Sequence, residues 1–191
     1  MKKRIIIIEG ADSVGKSQLS NHIQKMVNGK CHVLHSNYNK NLPQENNRRQ
    51  HTLYTKFALA NFKDSNYTGN NTVIFDRCYV SDITYGQIGY GSRGTLEEKY
   101  KHLGHLFKLM TSNKNVEVSF IYCRPNKSKF NKNAKEELLT DTENDKMQKI
   151  YDSVCYGSYF QDLLKIYDIN FYTYSFDYDS SYRLLDEHFN F

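Results

Sequence analysis

The sequence has no tryptophan, no C-x-x-C pair and no long apolar run, and these absences narrow the classes open to it. The apolar run nearest the start, Ile5 to Ile8, is far short of the roughly 20 residues that a bilayer-spanning helix needs. The basic Met1-Lys2-Lys3-Arg4 before it is therefore not read as a secretory signal, and a cytoplasmic protein without membrane partners is expected. Cys31, Cys78, Cys123 and Cys155 are widely spaced, and three lie in or beside strand-like apolar runs, so they read as buried reduced thiols. Sixteen Tyr against no Trp, with abundant Asn and Lys, reads as composition bias rather than function. What is present is ordinary for a globular domain: 191 residues, 39% hydrophobic and 25% charged. The net charge of +5 fits an anionic substrate or nucleic acid, and fits a merely soluble surface almost as well.

Apolar patterning alternates between strand and helix. Arg4 to Glu9 reads as a strand buried on both faces. A helix follows from near Lys16, with Leu19, Ile23, Met26 and Val27 on one face, and stops at Asn28-Gly29. Cys31 to His35 is a short strand, and the polar stretch Ser36 to Arg49 a long loop. His51 to Phe62 is expected to be helical, Thr72 to Asp76 a third strand, and Val116 to Cys123 a fourth. Between the last two, Thr95 and Glu98 form a capping box for a helix striped by Leu96, Tyr100, Leu103, Phe107 and Met110. Thr140 with Glu143 is a second capping box, opening one long helix through Ile150, Val154 and Leu163. Asn170 to Tyr174 and Tyr182 to Phe189 close the chain as strand and helix. The alternation predicts one α/β domain, a three-layer sandwich around a five-stranded parallel sheet.

The decisive motif joins the first strand to the first helix: Gly10-Ala11-Asp12-Ser13-Val14-Gly15-Lys16-Ser17, a G-x-x-x-x-G-K-[ST] pattern. Glycines let the backbone curl so that successive N–H groups face phosphate oxygens, and the helix adds its positive end. The pattern marks a P-loop NTPase-type fold, with Gly10, Ala11, Ser13, Val14, Gly15, Lys16, Ser17 and Gln18 around a triphosphate. Lys16 is expected on the β- and γ-phosphates and the Ser17 hydroxyl on Mg²⁺. Asp76, ending its strand, is a second candidate for Mg²⁺; capping a helix is its other reading. Asp12 inside the loop is unusual, because a carboxylate among phosphates needs a hydroxyl donor or a cation to satisfy it.

Two segments, Glu9-Gly10-Ala11-Asp12-Ser13-Val14-Gly15-Lys16-Ser17 and Asp76-Arg77-Cys78-Tyr79-Val80-Ser81-Asp82-Ile83-Thr84-Tyr85, resemble the thymidylate kinases. That family reads E-G-x-D-x-x-G-K-[ST] and D-R-Y-x-x-S-x-x-A-Y-Q, and Gly91-Ser92-Arg93-Gly94 is similar to the G-x-R-G that follows. The resemblance implies that Asp12 bonds the 3′-hydroxyl of a deoxynucleotide acceptor and that Arg77 lies near the acceptor's phosphate or base. It further implies that Ser81 orients Arg77 or the base, that Tyr85 packs under the sugar and excludes a 2′-hydroxyl, and that Asp76 serves the metal.

Several positions depart from that pattern. Gly86 replaces the family's Gln, Ser13 stands where one branch carries Arg, and the expected lid around 124–139 offers Lys127, Lys129, Lys132 and Lys135 instead of arginines. Arg124 is the arginine nearest the lid and is grouped with Lys16, Asp12 and Arg77 as catalytic. After the second strand, His35-Ser36-Asn37-Tyr38 provides no carboxylate base, which favours an already ionised monophosphate over a nucleoside hydroxyl. Arg48 and Arg49 are candidates to clamp its phosphate, Arg49 the one assigned to substrate. The expectation is a single-domain deoxynucleoside monophosphate kinase over 1–191, using ATP and Mg²⁺ on a small nucleotide, with a homodimer allowed. A kinase of deoxynucleosides or of a modified base in DNA is the alternative, although no basic and aromatic surface demands nucleic acid. A nucleotide-binding scaffold with little transfer activity is the third reading.

Overall fold

The computed structural model describes residues 3–27, 31–36, 44–63, 72–89, 94–125, 141–175 and 182–189. Five strands, β1 (Lys3–Glu9), β2 (Cys31–His35), β3 (Thr72–Asp76), β4 (Val116–Cys123) and β5 (Asn170–Tyr174), form one sheet in the order β2-β3-β1-β4-β5. Every pairing is parallel. In the central strand Ile5 to Ile8 are fully buried, as a strand covered on both faces requires. Its end sets up the site: Ile8 pairs with Asp76 of β3, and Glu9 with Tyr122 of β4. The loop after Glu9 therefore emerges between two neighbours at the carboxyl edge of the sheet, where open α/β sheets place ligands.

The helices are α1 (Lys16–Met26), α2 (Gln44–Lys63), α3 (Tyr79–Gly86), α4 (Leu96–Met110), α5 (Asp141–Cys155), α6 (Ser158–Ile166) and α7 (Arg183–Phe189). All five strands fall where the sequence places them, and Thr95 with Glu98 forms the full capping box of α4. Three expectations need correction. The stretch up to Arg49 is not all loop, because α2 begins at Gln44. Its inward stripe, Asn47, His51, Thr55, Ala58 and Phe62, is polar in its first half and so carries no apolar period there. On α4, Leu96 is exposed and Lys99 is buried, paired with Asp82 of α3. The one long helix from Thr140 is two, because the chain leaves helical geometry at Gly157, which caps α6 with extended angles. A Cβ there would meet the Ser153 carbonyl oxygen at 2.7 Å, so the break needs glycine.

All four cysteines are free and buried, as expected. Among the described residues no helix is long and apolar enough to cross a membrane. Asn28-Gly29, Thr140, Gly91 to Arg93 and the lid lysines 127, 129, 132 and 135 lie outside the described residues.

Candidate active site

The loop between β1 and α1 is shaped by close backbone contact. Gly10 takes φ 149°, and a Cβ on it would sit 2.5 Å from the Cys123 carbonyl oxygen. Only glycine allows the loop to leave β1 against the end of β4 in this way. Ser13 (φ 60°) and Gly15 (φ 89°) are left-handed, and Gly15 begins α1 with no side chain capping its first N–H groups. Those donors stay available to an anion at the positive end of the helix. Lys16 folds inward and its Nζ donates to the Ala11 carbonyl. Burial, and next the Arg77 guanidinium, push its ammonium down to about 8, against the pull of Asp12 and Asp76. A buried cation that donates to a backbone carbonyl is an environment that an incoming phosphate would complete.

Asp12, Arg77, Ser81 and Tyr85 come together beside this cradle. Arg77 Nη2 pairs with Asp12 Oδ1, while Nη1 donates to the Gly10 carbonyl (3.1 Å), Ser81 Oγ (3.2 Å) and Tyr151 OH (3.2 Å). The guanidinium carbon lies 5.3 Å from the centre of the Tyr85 ring. Burial holds the Tyr85 phenol well above its ordinary range despite the nearby Arg77, so it is neutral. Arg77 itself sits at φ 70°, a left-handed conformation uncommon for a long side chain, and its N–H is fixed on the Ile8 carbonyl at 3.0 Å. Backbone strain of this kind concentrates at functional positions.

The other candidates are more dispersed. Ser17 and Gln18 are exposed at the start of α1. Asp76 is buried at the end of β3, with Oδ2 2.9 Å from Nδ1 of the exposed His35. Among the described residues no cluster of three or more His, Cys, Asp or Glu could hold a metal alone. One hydroxyl and one carboxylate nonetheless fit Mg²⁺, which keeps waters and takes its remaining ligands from phosphate. Arg124 is gripped by Asp152 of α5 through Nε–Oδ1 (2.7 Å) and Nη2–Oδ2 (3.1 Å), with Tyr122 OH on the same carboxylate at 2.7 Å. Arg49 is exposed on α2, whereas Arg48 turns inward, its Nε 3.3 Å from Tyr79 OH and its Nη2 4.0 Å from Glu98.

No family model matches the chain, and no curated protein matches it by sequence. Solved structures do. The Bacillus subtilis YorR protein, in complex with phosphorylated GDP, aligns at TM-score 0.56 and 16% identity over 97% of this chain and 98% of its own. Candida albicans thymidylate kinase aligns at 0.54 and 12%, covering 99% and 93%. Deoxyadenosine kinase from M. mycoides with bound dATP aligns at 0.52 and 15%, covering 98% and 100%. The fold is that of the nucleotide kinases.

Within this nucleotide kinase fold, two polar groups escaped the sequence reading. Glu9 is fully buried and receives Cys78 N–H, Ser81 N–H, Ser81 OH and Tyr151 OH. A carboxylate ending a run of four isoleucines was the available signal. Tyr151 gave none, because on α5 it reads as one more core aromatic. The second group surrounds Tyr79, whose ring meets His51 and His102 edge-on at 5.5 and 4.6 Å. Burial pushes both imidazoles down to about 4, so they are neutral at pH 7. Below them the Asp82–Lys99 pair, at 3.6 Å and almost fully buried, ties α3 to α4.

Proposed function

We propose that this protein transfers the γ-phosphoryl group of ATP to a deoxynucleoside monophosphate. One observation carries the reading: Asp12, inside the phosphate cradle, is paired with Arg77, which lies against Tyr85. That arrangement would set a hydroxyl acceptor, a guanidinium and an aromatic ring beside the end of a bound triphosphate. A deoxyribose 3′-hydroxyl suits Asp12, an acceptor phosphate suits Arg77, and Tyr85 occupies the space that a 2′-hydroxyl would need. Lys16 supplies the cation for the donor phosphates, and Ser17 with Asp76 would hold Mg²⁺. When bound, Mg²⁺ offsets charge on the phosphate oxygens. The protein's contribution is positioning and preorganised charge, with no covalent intermediate. Arg124 and Arg49 belong to this proposal at one remove: Arg124 must leave Asp152 to reach a phosphate, and Arg49 must turn inward from the surface.

The C. albicans neighbour, a thymidylate kinase, agrees with this reading, whereas the M. mycoides neighbour, a deoxyadenosine kinase with dATP bound, agrees with a nucleoside acceptor. A nucleoside acceptor is the second reading, favoured by the His35–Asp76 contact. An imidazole backed by a carboxylate is a general base of the kind a 5′-hydroxyl acceptor needs, and it stands where the sequence shows no acidic residue. ADP release measured with each dNMP, each NMP and each deoxynucleoside separates the readings. Turnover with dNMPs, well above the corresponding NMPs, is expected. Equal rates for dNMP and NMP remove the role of Tyr85, and turnover of deoxynucleosides alone transfers the assignment to the second reading. ATP binding without acceptor-dependent ADP release leaves a scaffold.

A further inference from the structure

Glu9 accepts hydrogen bonds from the hydroxyls of Ser81 and Tyr151, the same two groups that accept from Arg77. Its Oε1 accepts from the backbone N–H groups of Cys78 (2.6 Å) and Ser81 (3.1 Å). Its Oε2 accepts from the hydroxyls of Ser81 (2.8 Å) and Tyr151 (3.0 Å). A hydroxyl has a single proton. When both protons go to Glu9, both oxygens turn lone pairs outward, and Arg77 Nη1 lies 3.2 Å from each of them. The two hydroxyl oxygens are only 2.9 Å apart, so without Glu9 they would bond to each other and one proton would be free to face the guanidinium.

We propose that Glu9 and Tyr151 are positioning residues for phosphoryl transfer. The Glu9 carboxylate fixes the polarity of the Ser81 and Tyr151 hydroxyls so that both accept from Arg77. This holds the other arm of the guanidinium on Asp12. The inference rests on the reading above, in which Asp12 and Arg77 meet the acceptor. It adds that their alignment is set from behind the loop by a buried anion, and that α5 contributes to it through Tyr151. The left-handed backbone of Arg77 fixes where its side chain begins; the direction of the guanidinium depends on these acceptors.

Glu9→Gln keeps the size of the side chain, and its oxygen still accepts from the two backbone N–H groups. Its amide, however, presents N–H to the hydroxyl pair, which reverses their polarity toward Arg77. Tyr151→Phe removes one acceptor outright. Steady-state kinetics with dNMP varied at saturating ATP, and ATP varied at saturating dNMP, are measured for both variants beside thermal melting. Each variant is expected to lower kcat/KM for the acceptor by about tenfold or more, the scale of one misdirected charged hydrogen bond. The KM for ATP stays within about twofold on the same basis, since the donor cradle is untouched. In an Asp12→Asn background Glu9→Gln should cost little more, a coupling between residues that do not touch.

A folded pair of variants with unchanged acceptor kinetics overturns the inference, as does a loss shared equally by ATP and acceptor or strictly additive with Asp12→Asn. If Glu9→Gln does not fold, Tyr151→Phe decides alone. A wild-type protein that turns over no nucleotide acceptor overturns the functional reading and this inference together. An active wild type with unaffected variants overturns the inference only.

Discussion

Removing the charge of Lys16 should make the nucleotide-free protein more stable while destroying its activity. Lys16 is buried at the start of α1 and its ammonium is pushed down from 10.5 to about 8. At 1.36 kcal/mol per pH unit, that difference is roughly 3 kcal/mol of folding free energy lost at neutral pH. Below pH 8 both folded and unfolded chains carry the proton, and the penalty is present in full. Between pH 8 and 10.5 the unfolded chain keeps the proton and the folded chain releases it, so stability rises with pH across that window. Lys16→Met keeps the length and discards the charge. It also leaves the Ala11 carbonyl without its donor, which takes back about 1 kcal/mol. The variant should therefore gain roughly 1–3 kcal/mol at pH 7, and its advantage should shrink by about 1 kcal/mol at pH 9, where the wild type has begun to lose the penalty. Urea unfolding followed by far-ultraviolet circular dichroism, with EDTA and without nucleotide, measures both values. The same variant should lose about 10²-fold or more in kcat, the scale of one removed electrostatic donor. A variant no more stable than wild type at pH 7, or an advantage that does not change at pH 9, refutes the reasoning.

Three further outcomes test other parts of the site. Gly10→Ala places a Cβ 2.5 Å from the Cys123 carbonyl oxygen, backbone against backbone, at positive φ; denaturation should show a loss of about 1–3 kcal/mol, and ATP titration a weaker site. His51, neutral because burial pushes it down to about 4, is protonated only on unfolding between pH 6.5 and 4. Stability should therefore fall with acidification through that window by up to roughly 3 kcal/mol, and His51→Gln should flatten the decline in melting temperature against pH. Arg124→Ala should lower kcat by about tenfold if the arginine leaves Asp152 for a phosphate during turnover, whereas Asp152→Ala should lose comparable stability and keep its turnover. Equal kinetics for the two variants would assign Arg124 to holding the ends of β4 and α5 together.

What the sequence revealed followed from periodicity and from backbone geometry. Ile5 to Ile8 could be read as a central strand because a short β-branched run between charged residues fits a strand covered on both faces. Gly10, Gly15, Lys16 and Ser17 could be read because a phosphate cradle constrains residue type at fixed spacing. Where the buried face was polar, the pattern failed. Asn47, His51 and Thr55 face inward on α2, and Lys99 takes the core position on α4 that an apolar residue would advertise. His51 and Lys99 find partners from elsewhere in the chain, Ser36 and Asp82, while Thr55 donates to the His51 carbonyl of its own helix. A linear sequence does not display such pairs.

The same distinction separates the two halves of the candidate site. The donor half is local: it uses eight consecutive residues and the helix that follows, so spacing alone reveals it. The proposed acceptor half is assembled from the end of β1, the loop at Asp12, Arg77 with α3, and Tyr151 of α5. Two segments kept a spacing that could be matched: the loop, which brought out Asp12, and the β3–α3 segment, which brought out Arg77, Ser81 and Tyr85. Glu9 and Tyr151, separated by 142 positions, meet through one hydrogen bond and through a hydroxyl they share. Their pairing is enforced by the register of β1 against β4 and by the packing of α5, not by any local rule. If hydrogen-bond polarity sets the alignment of Arg77, the identity of the acceptor depends as much on these buried partners as on the residues that touch it. On the proposed reading, a chain that kept the loop and replaced Glu9 is expected to bind the triphosphate and to lose its grip on the second substrate.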